Sequence, residues 1–342
     1  MNTPRYEFSK SRIIENYESM SKKLPLCRLF YAMKANGNKE VLKILKEAGA
    51  SFEVASIYEF DIVREVGVDP SEVVFGLPVK TEDTIKYTYE NGCRYYVFDD
   101  IRELHKIQKY APDARKILRM QVSDLIPSSI IYGMPIGEIE ENIDELMSSI
   151  DGISFHISYN RIIEAVEDVC SRLDKVLSLL EAKDKNYVIN IGGGYEDGVD
   201  DEFYKKYNKL LNGIKEKYKC TFYAEPGKTL VDTAGAFYAK VIAKKSVDNK
   251  VIIYMDGGLA NGIGYNAFTG YVENCNGNTK SLNSTRYEFR DCTNLNETLI
   301  RLDSCIDIQV GDEIKFGNFG AYSIVFQNSF HKWPKCVVEI VD

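Results

Sequence analysis

The chain has 342 residues, 44% hydrophobic and 27% charged, with a formal net charge of -8. That length accommodates two domains and a sizeable core, and the acidic balance excludes a general electrostatic grip on nucleic acid or anionic lipid while leaving room for a local phosphate site. No apolar run reaches the roughly 18 residues of a membrane helix, the start (Met1-Asn2-Thr3-Pro4-Arg5) is no signal peptide, and a cytoplasmic location is expected.

Eight β-rich runs are expected, at 28–32, 51–55, 73–76, 94–98, 116–122, 152–157, 187–191 and 220–224. Between most of them apolar residues recur three and four apart, as in Val41, Ile44, Leu45 and Ala48, or Val169, Leu173, Val176, Leu177 and Leu180. That is the period of an amphipathic helix. Gly49, Gly67 and Gly92 fall where helices should stop. Eight such units predict an α/β chain built on a (β/α)8 barrel, with a doubly wound sheet as the alternative. After about Gly235 the pattern changes. Short β-like runs at 236–242, 251–255, 306–310, 313–316 and 335–341 are punctuated by Gly, Asn and Asp. They predict a C-terminal, mostly antiparallel β domain. The expected division is a barrel over 9–235 and a β domain over 236–342, joined by residues 1–8 and tightly packed on the barrel.

In barrel enzymes chemistry sits at the C-terminal ends of the strands. Here Lys34 follows the first strand (Tyr31-Ala32-Met33-Lys34-Ala35-Asn36) and Arg119 lies within the fifth. His156 ends the sixth (Ser154-Phe155-His156-Ile157), Gly192-Gly193-Gly194 follows the seventh and Glu225-Pro226-Gly227-Lys228 the eighth. Three glycines straight after a β-run let the backbone approach a ligand and aim N–H groups at it. With the next loop, which adds the Lys228 cation, they read as a phosphate site. A partly desolvated lysine such as Lys34, at the end of an apolar run, can form an imine. Taken singly, the glycines are a turn, Lys34 a surface lysine, His156 a core histidine and Glu225 a rim carboxylate. Convergence on one mouth gives them a joint chemistry. The eight cysteines show no metal-like spacing with the three histidines, so free thiols and no metal are expected.

The ordered motifs YAMKAN, SFHIS, INIGGGY, AEPGK, YMDGG, CTNL and FGAYS resemble the alanine-racemase-like (fold type III) pyridoxal-phosphate decarboxylases, the ornithine, arginine, lysine and diaminopimelate decarboxylases among them. The resemblance runs from about Thr3 to Phe330. It implies pyridoxal 5'-phosphate as cofactor, carried on Lys34 as a Schiff base, with His156 stacked on the ring. Glu225 would pair with the pyridine nitrogen, so that the ring acts as electron sink. The resemblance further implies Gly192, Gly193 and Gly194 as the phosphate loop, with Gly227, Lys228 and Tyr322 beside it. Glu53, Ser56 and Glu59 would lie near the cofactor and Arg119 behind its ring. Cys292 matches the cysteine that family members send across a dimer interface to protonate the carbanion, which implies a homodimer with shared sites. Thr293 and Tyr322 would face the substrate. The implied activity is decarboxylation of an amino acid, or of an amino-acid-bearing conjugate, to its amine and carbon dioxide.

Four departures stand out. Ser158, followed by Tyr159, replaces a glycine. Lys228 replaces an arginine, keeping the charge but not the bidentate fork. Thr293 replaces the acid directly after the cysteine, and Asn296 a second acid nearby, which removes the counter-charge held by basic-substrate members against a distal ammonium. A substrate with a neutral, anionic or conjugated distal end is expected. Finally, the chain starts almost at the barrel, so a trimmed chain or one domain of a longer protein is expected. The decarboxylase half of the microcin C maturation enzyme, which acts on a carboxy-aminopropyl group already on its carrier, is a specialised relative that such features suit. Other readings on the same barrel are an amino-acid racemase or epimerase, a cofactor carrier, and a non-catalytic relative that binds a partner protein. Retention of Lys34, His156, Glu225 and Cys292 speaks against the last.

Overall fold

The computed structural model describes residues 2–122, 132–157, 162–181, 185–196, 198–264, 268–277, 280–293 and 295–342; Ser158 and Tyr159 lie outside them. Two compact units are present, one of Asn16–Thr229 and one of Met1–Glu15 with Leu230–Asp342. After β1 (Arg5–Ser9), the first unit contains β2 (Cys27–Ala32), β3 (Ser51–Val54), β4 (Val74–Phe75), β5 (Tyr95–Phe98), β6 (Arg115–Arg119), β7 (Gly152–Ser154), β8 (Tyr187–Asn190) and β9 (Cys220–Ala224). Among the described residues these eight form a closed barrel in sequence order, each parallel to its neighbours. The doubly wound alternative is thereby excluded.

Local chemistry sets where the intervening helices begin and end. Asn38, Ser56, Thr81, Asp100 and Asp200 each cap a helix with a side-chain oxygen that accepts a backbone N–H of the first turn. Gly49, Gly67 and Gly92, with φ of 102°, 79° and 101°, follow helices Lys39–Glu47, Ile57–Glu65 and Glu82–Glu90 in the left-handed region where other residues are strained.

The period-two alternation of strands fills the barrel in layers. Phe30, Val74, Val97, Ile117, Val188 and Tyr223 form an apolar plug, with the Phe30 and Tyr223 rings 4.4 Å apart. Two residues beyond Ile117 and Val188, and so on the same inner face, stand Arg119 and Asn190, with Ser154 between them in register. Glu53, in register with Ala32 and Val74, enters from β3. A polar layer thus lies directly above the apolar one, at the C-terminal ends of the strands.

In the second unit the sheet order is β12 (Val272–Asn274), β15 (Glu313–Gly317), β10 (Gly235–Val247), β11 (Lys250–Met255), β13 (Lys280–Arg290) and β14 (Thr298–Ile306). Off this path, β1 pairs with β10 and with β16 (Val337–Val341). The sheet is mostly antiparallel; β11 with β13 and β1 with β16 are its parallel pairs.

Several expectations need correction. The run 306–310 is not a strand. β14 ends at Ile306, and the chain then turns on Asp312, whose carboxylate accepts the Gln309 N–H at 2.8 Å, before Gly311 at φ 97°. β12, β13 and most of β14 were not anticipated. In the barrel, the runs ending at 122 and 157 overshoot: β6 stops at Arg119 and β7 at Ser154. His156 therefore does not end its strand but lies two residues past it, and Arg119 is the last residue of its own. The eight cysteines are free. Among the described residues no helix is long and apolar enough to cross a membrane.

Candidate functional site

Lys34 sits on a one-turn helix, Met33–Ala35, pinned by the Tyr31 hydroxyl, which donates to the Asn36 carbonyl at 3.0 Å. Met33 and Ala35 are buried, whereas Lys34 is exposed. This exposure departs from the partial desolvation expected of the lysine, and its charge acts on the buried carboxyl of Glu53 and the half-buried one of Glu59. The loop after β9 closes against the same turn. Ala32 N–H donates to the Pro226 carbonyl at 3.2 Å, and a side-chain carbon on Gly227 would meet Ala35 and Ala32 at 3.2 and 3.3 Å.

Glu53 is 6% exposed. Gly76, just past β4, lies so close that a side-chain carbon there would fall 2.1 Å from Glu53 Oε1. Burial foremost, then the charge of Glu225, pushes the Glu53 carboxyl up to about 8; Glu59 adds to this, while Lys34 and Arg119 oppose it. Glu59 is also raised by burial, against its hydrogen bond from Ala55 N–H at 2.6 Å. Ser56 Oγ accepts the Glu59 N–H at 3.2 Å, so the two residues cap one helix start. Burial holds the Arg119 guanidinium below its ordinary value against the pull of Glu225, Asp99 and Glu53, and it lies 5.3 Å over the Tyr132 ring.

The glycine run is a backbone cradle. Side-chain carbons on Gly192 and Gly193 would fall 2.3 Å from the Phe155 carbonyl and 2.6 Å from the Glu225 carbonyl, so neither position admits a side chain. Gly193 N–H donates to His156 Nδ1 at 3.2 Å, and Glu225 N–H donates to the Gly192 carbonyl at 2.8 Å. His156, Gly194, Glu225 and Lys228 are each half-buried. Ser154 Oγ is buried with no hydrogen-bond partner among the described residues.

In the other unit, the run Phe319–Ser323 is pinned on Val231 and Asp232. Gly320 has its α-carbon against the Val231 carbonyl, and Ala321 N–H donates to Asp232 Oδ1 at 3.3 Å. Tyr322 is held there at φ 50°, a left-handed conformation uncommon for a tyrosine. Cys292 is half-buried, and burial foremost, with the Asp291 charge, pushes its thiol up to about 11. Thr293 is 9% exposed, and its hydroxyl donates to the fully buried Asp291. Asp291 also accepts Thr293 N–H at 3.0 Å and Leu259 N–H at 3.1 Å.

A family model described as the pyridoxal-binding domain of pyridoxal-dependent decarboxylases matches residues 10–239. The chain belongs to the pyridoxal-dependent decarboxylase family. Lysine/ornithine decarboxylase of Selenomonas ruminantium is 28% identical over 359 residues, covering 98% of this chain and 90% of its own. Antizyme inhibitor 2 of Xenopus laevis is 27% identical over 360 residues, covering 95% and 78%. A crystal structure of the Selenomonas ruminantium lysine decarboxylase superposes with a TM-score of 0.86 at 25% identity, covering 99% and 93%. The Paramecium bursaria Chlorella virus arginine decarboxylase shares the fold, with a TM-score of 0.90 at 22% identity, covering 99% and 97%. The cofactor of this decarboxylase is pyridoxal phosphate. The barrel mouth fits such a group: it combines a lysine, a glycine cradle that excludes side chains at Gly192 and Gly193, a buried carboxyl paired with a half-buried one, and an orphan hydroxyl.

Asn190 and Asp291 escaped the sequence reading. Asn190 carried a usable signal, since it lies two residues beyond Val188 and so shares its inward face. Asp291 carried none, because a carboxylate beside Cys292 reads as solvent-facing until its three donors are seen.

The Glu53 carboxyl holds its proton more tightly in the folded chain than in the unfolded one. Its ionisation therefore costs the fold stability as pH rises from about 4.5 to about 8. In cofactor-free protein, Glu53→Gln should unfold a few degrees above the parent at pH 8.5, a gain of roughly 2 kcal/mol. The gap should narrow towards pH 5. Thermal melts across pH check this; a gap that widens on acidification contradicts it.

Proposed function

We propose that this decarboxylase removes the Cα carboxylate of an amino acid whose distal end is not a bare ammonium. The observation that carries the substrate reading is the Cys292 turn. There Asp291 is fully buried and already accepts three hydrogen bonds, while Thr293 and Asn296, at the positions where basic-substrate members carry acids, bring no charge. A distal ammonium would find no counter-charge at these two positions.

When bound, pyridoxal phosphate supplies an electron sink for the bonding pair left by the departing carboxylate. Lys34 Nζ would tether it. Glu225 would hold the proton at the ring nitrogen, with Arg119 and Glu53 beneath it and His156 against the ring. Gly192–Gly194 would present N–H groups to the phosphate, with Lys228 as its cation. Carbon dioxide leaves as the Cα–carboxylate bond breaks, and Cα then takes a proton. Cys292 Sγ suits that delivery, because a thiol pushed up to about 11 stays protonated at neutral pH. Following the family pattern, Cys292 would come from a second copy of the chain. The likeness to an antizyme inhibitor favours one other reading, a non-catalytic protein that binds a partner.

Carbon dioxide release should be assayed with basic, acidic, neutral and adenosine-linked amino acids, using cofactor-loaded protein and a Lys34→Ala control. Release should depend on Lys34 and be poorest with ornithine and lysine. Efficient turnover of either basic substrate would sink the substrate reading. No cofactor uptake and no release would favour the non-catalytic reading. Shared sites make a separate prediction. Mixing inactive Lys34→Ala and Cys292→Ala proteins should restore roughly a quarter of parental activity through hybrid dimers; no recovery after subunit exchange excludes sharing.

A further inference from the structure

We infer that Asn190 is a positioning residue, which fixes the orientation of Glu225 and ties that carboxylate to the glycine cradle. Asn190 is the last residue of β8 and 1% exposed. Its Oδ1 accepts the Gly192 N–H at 2.9 Å, and its Nδ2 donates to Glu225 Oε1 at 2.6 Å. Glu225 N–H returns a bond to the Gly192 carbonyl at 2.8 Å. Asparagine, glycine and glutamate thus close a ring of three hydrogen bonds.

The amide has two unlike ends, and the ring uses both. The Gly192 N–H can meet only the carbonyl end, so the NH2 end is turned to Glu225. Oε1 then accepts, and its lone pair is aimed at the amide. This separates two carboxyls that share one mouth. Glu225 accepts from Asn190, whereas Glu53 is buried against Gly76 with no comparable donor among the described residues, and the charge of Glu225 favours retention of its proton. The other charged or titratable groups facing the pair are Lys34, Glu59 and Arg119, with His156 linked through Gly193. One neutral amide thereby orients one of the two carboxyls that share the mouth. An aspartate at this position could still accept from Gly192. It would, however, set a further carboxylate against Glu225 with no proton donor between them.

The inference rests on the reading that Glu225 faces the cofactor's ring nitrogen. Its test uses the full chain loaded with pyridoxal phosphate. The cofactor's dissociation constant and the pH dependence of its visible absorbance are compared in the parent, Asn190→Asp, Asn190→Leu and Glu225→Gln, with melting temperatures as a fold control. Asn190→Asp should weaken cofactor binding roughly tenfold and move the absorbance midpoint up by about one pH unit. Asn190→Leu should weaken binding without that upward move, and it also serves if the aspartate variant does not fold. Variants that match the parent in both readouts overturn the role of Asn190 while leaving Glu225 in place. If Glu225→Gln itself matches the parent in both, the reading of Glu225 fails and the inference falls with it.

Discussion

Two carboxyls, Glu53 and Glu225, act on each other inside a barrel that otherwise buries hydrocarbon, and the surrounding mouth answers to that constraint. Burying unpaired carboxylates is expensive. The protein meets the cost in different ways for the two. Glu53 is packed against the bare α-carbon of Gly76, and its carboxyl is pushed up to about 8. Glu225 accepts from Asn190, and the positive charge of Arg119 pulls on both. The charge of Lys34 completes the balance from the turn after β2. A decarboxylase needs such a balance, because its cofactor brings a phosphate, a basic ring nitrogen and an aldehyde to one place.

The polar layer follows from strand geometry. Side chains on one strand alternate between the two faces, so the residue two beyond a core valine or isoleucine must also point inward. Ile117 leads to Arg119 and Val188 to Asn190, and register then brings Ser154 between them. The apolar plug beneath keeps the layer from water on its lower side. The loops above it close by backbone contacts too tight for side chains at Gly192 and Gly193.

The barrel was legible because its strands are short apolar runs with helical periods between them. What failed was their ends: β6 and β7 stop where the backbone turns away to build the mouth, although apolar character continues through Val122 and Ile157. The second unit was less legible. β13 and β14 alternate apolar residues such as Tyr287 and Phe289 with charges, and the charges hide the strand. Their charges gather around the buried Glu288, which Arg290 meets from the same strand and Lys250 and Arg301 from positions distant in sequence. For the same reason the motif residues Lys34, Glu225 and the glycines could be read directly. Asn190 and Asp291, which orient or satisfy other groups, became visible only with their hydrogen bonds.

The central claim is that the polar mouth holds pyridoxal phosphate on Lys34. Borohydride reduction of cofactor-loaded protein, followed by proteolysis and mass spectrometry, addresses it directly, since reduction makes an imine linkage permanent. The account predicts a pyridoxyl adduct on the peptide that contains Lys34. An adduct confined to another lysine, Lys228 included, or none at saturating cofactor, would contradict it.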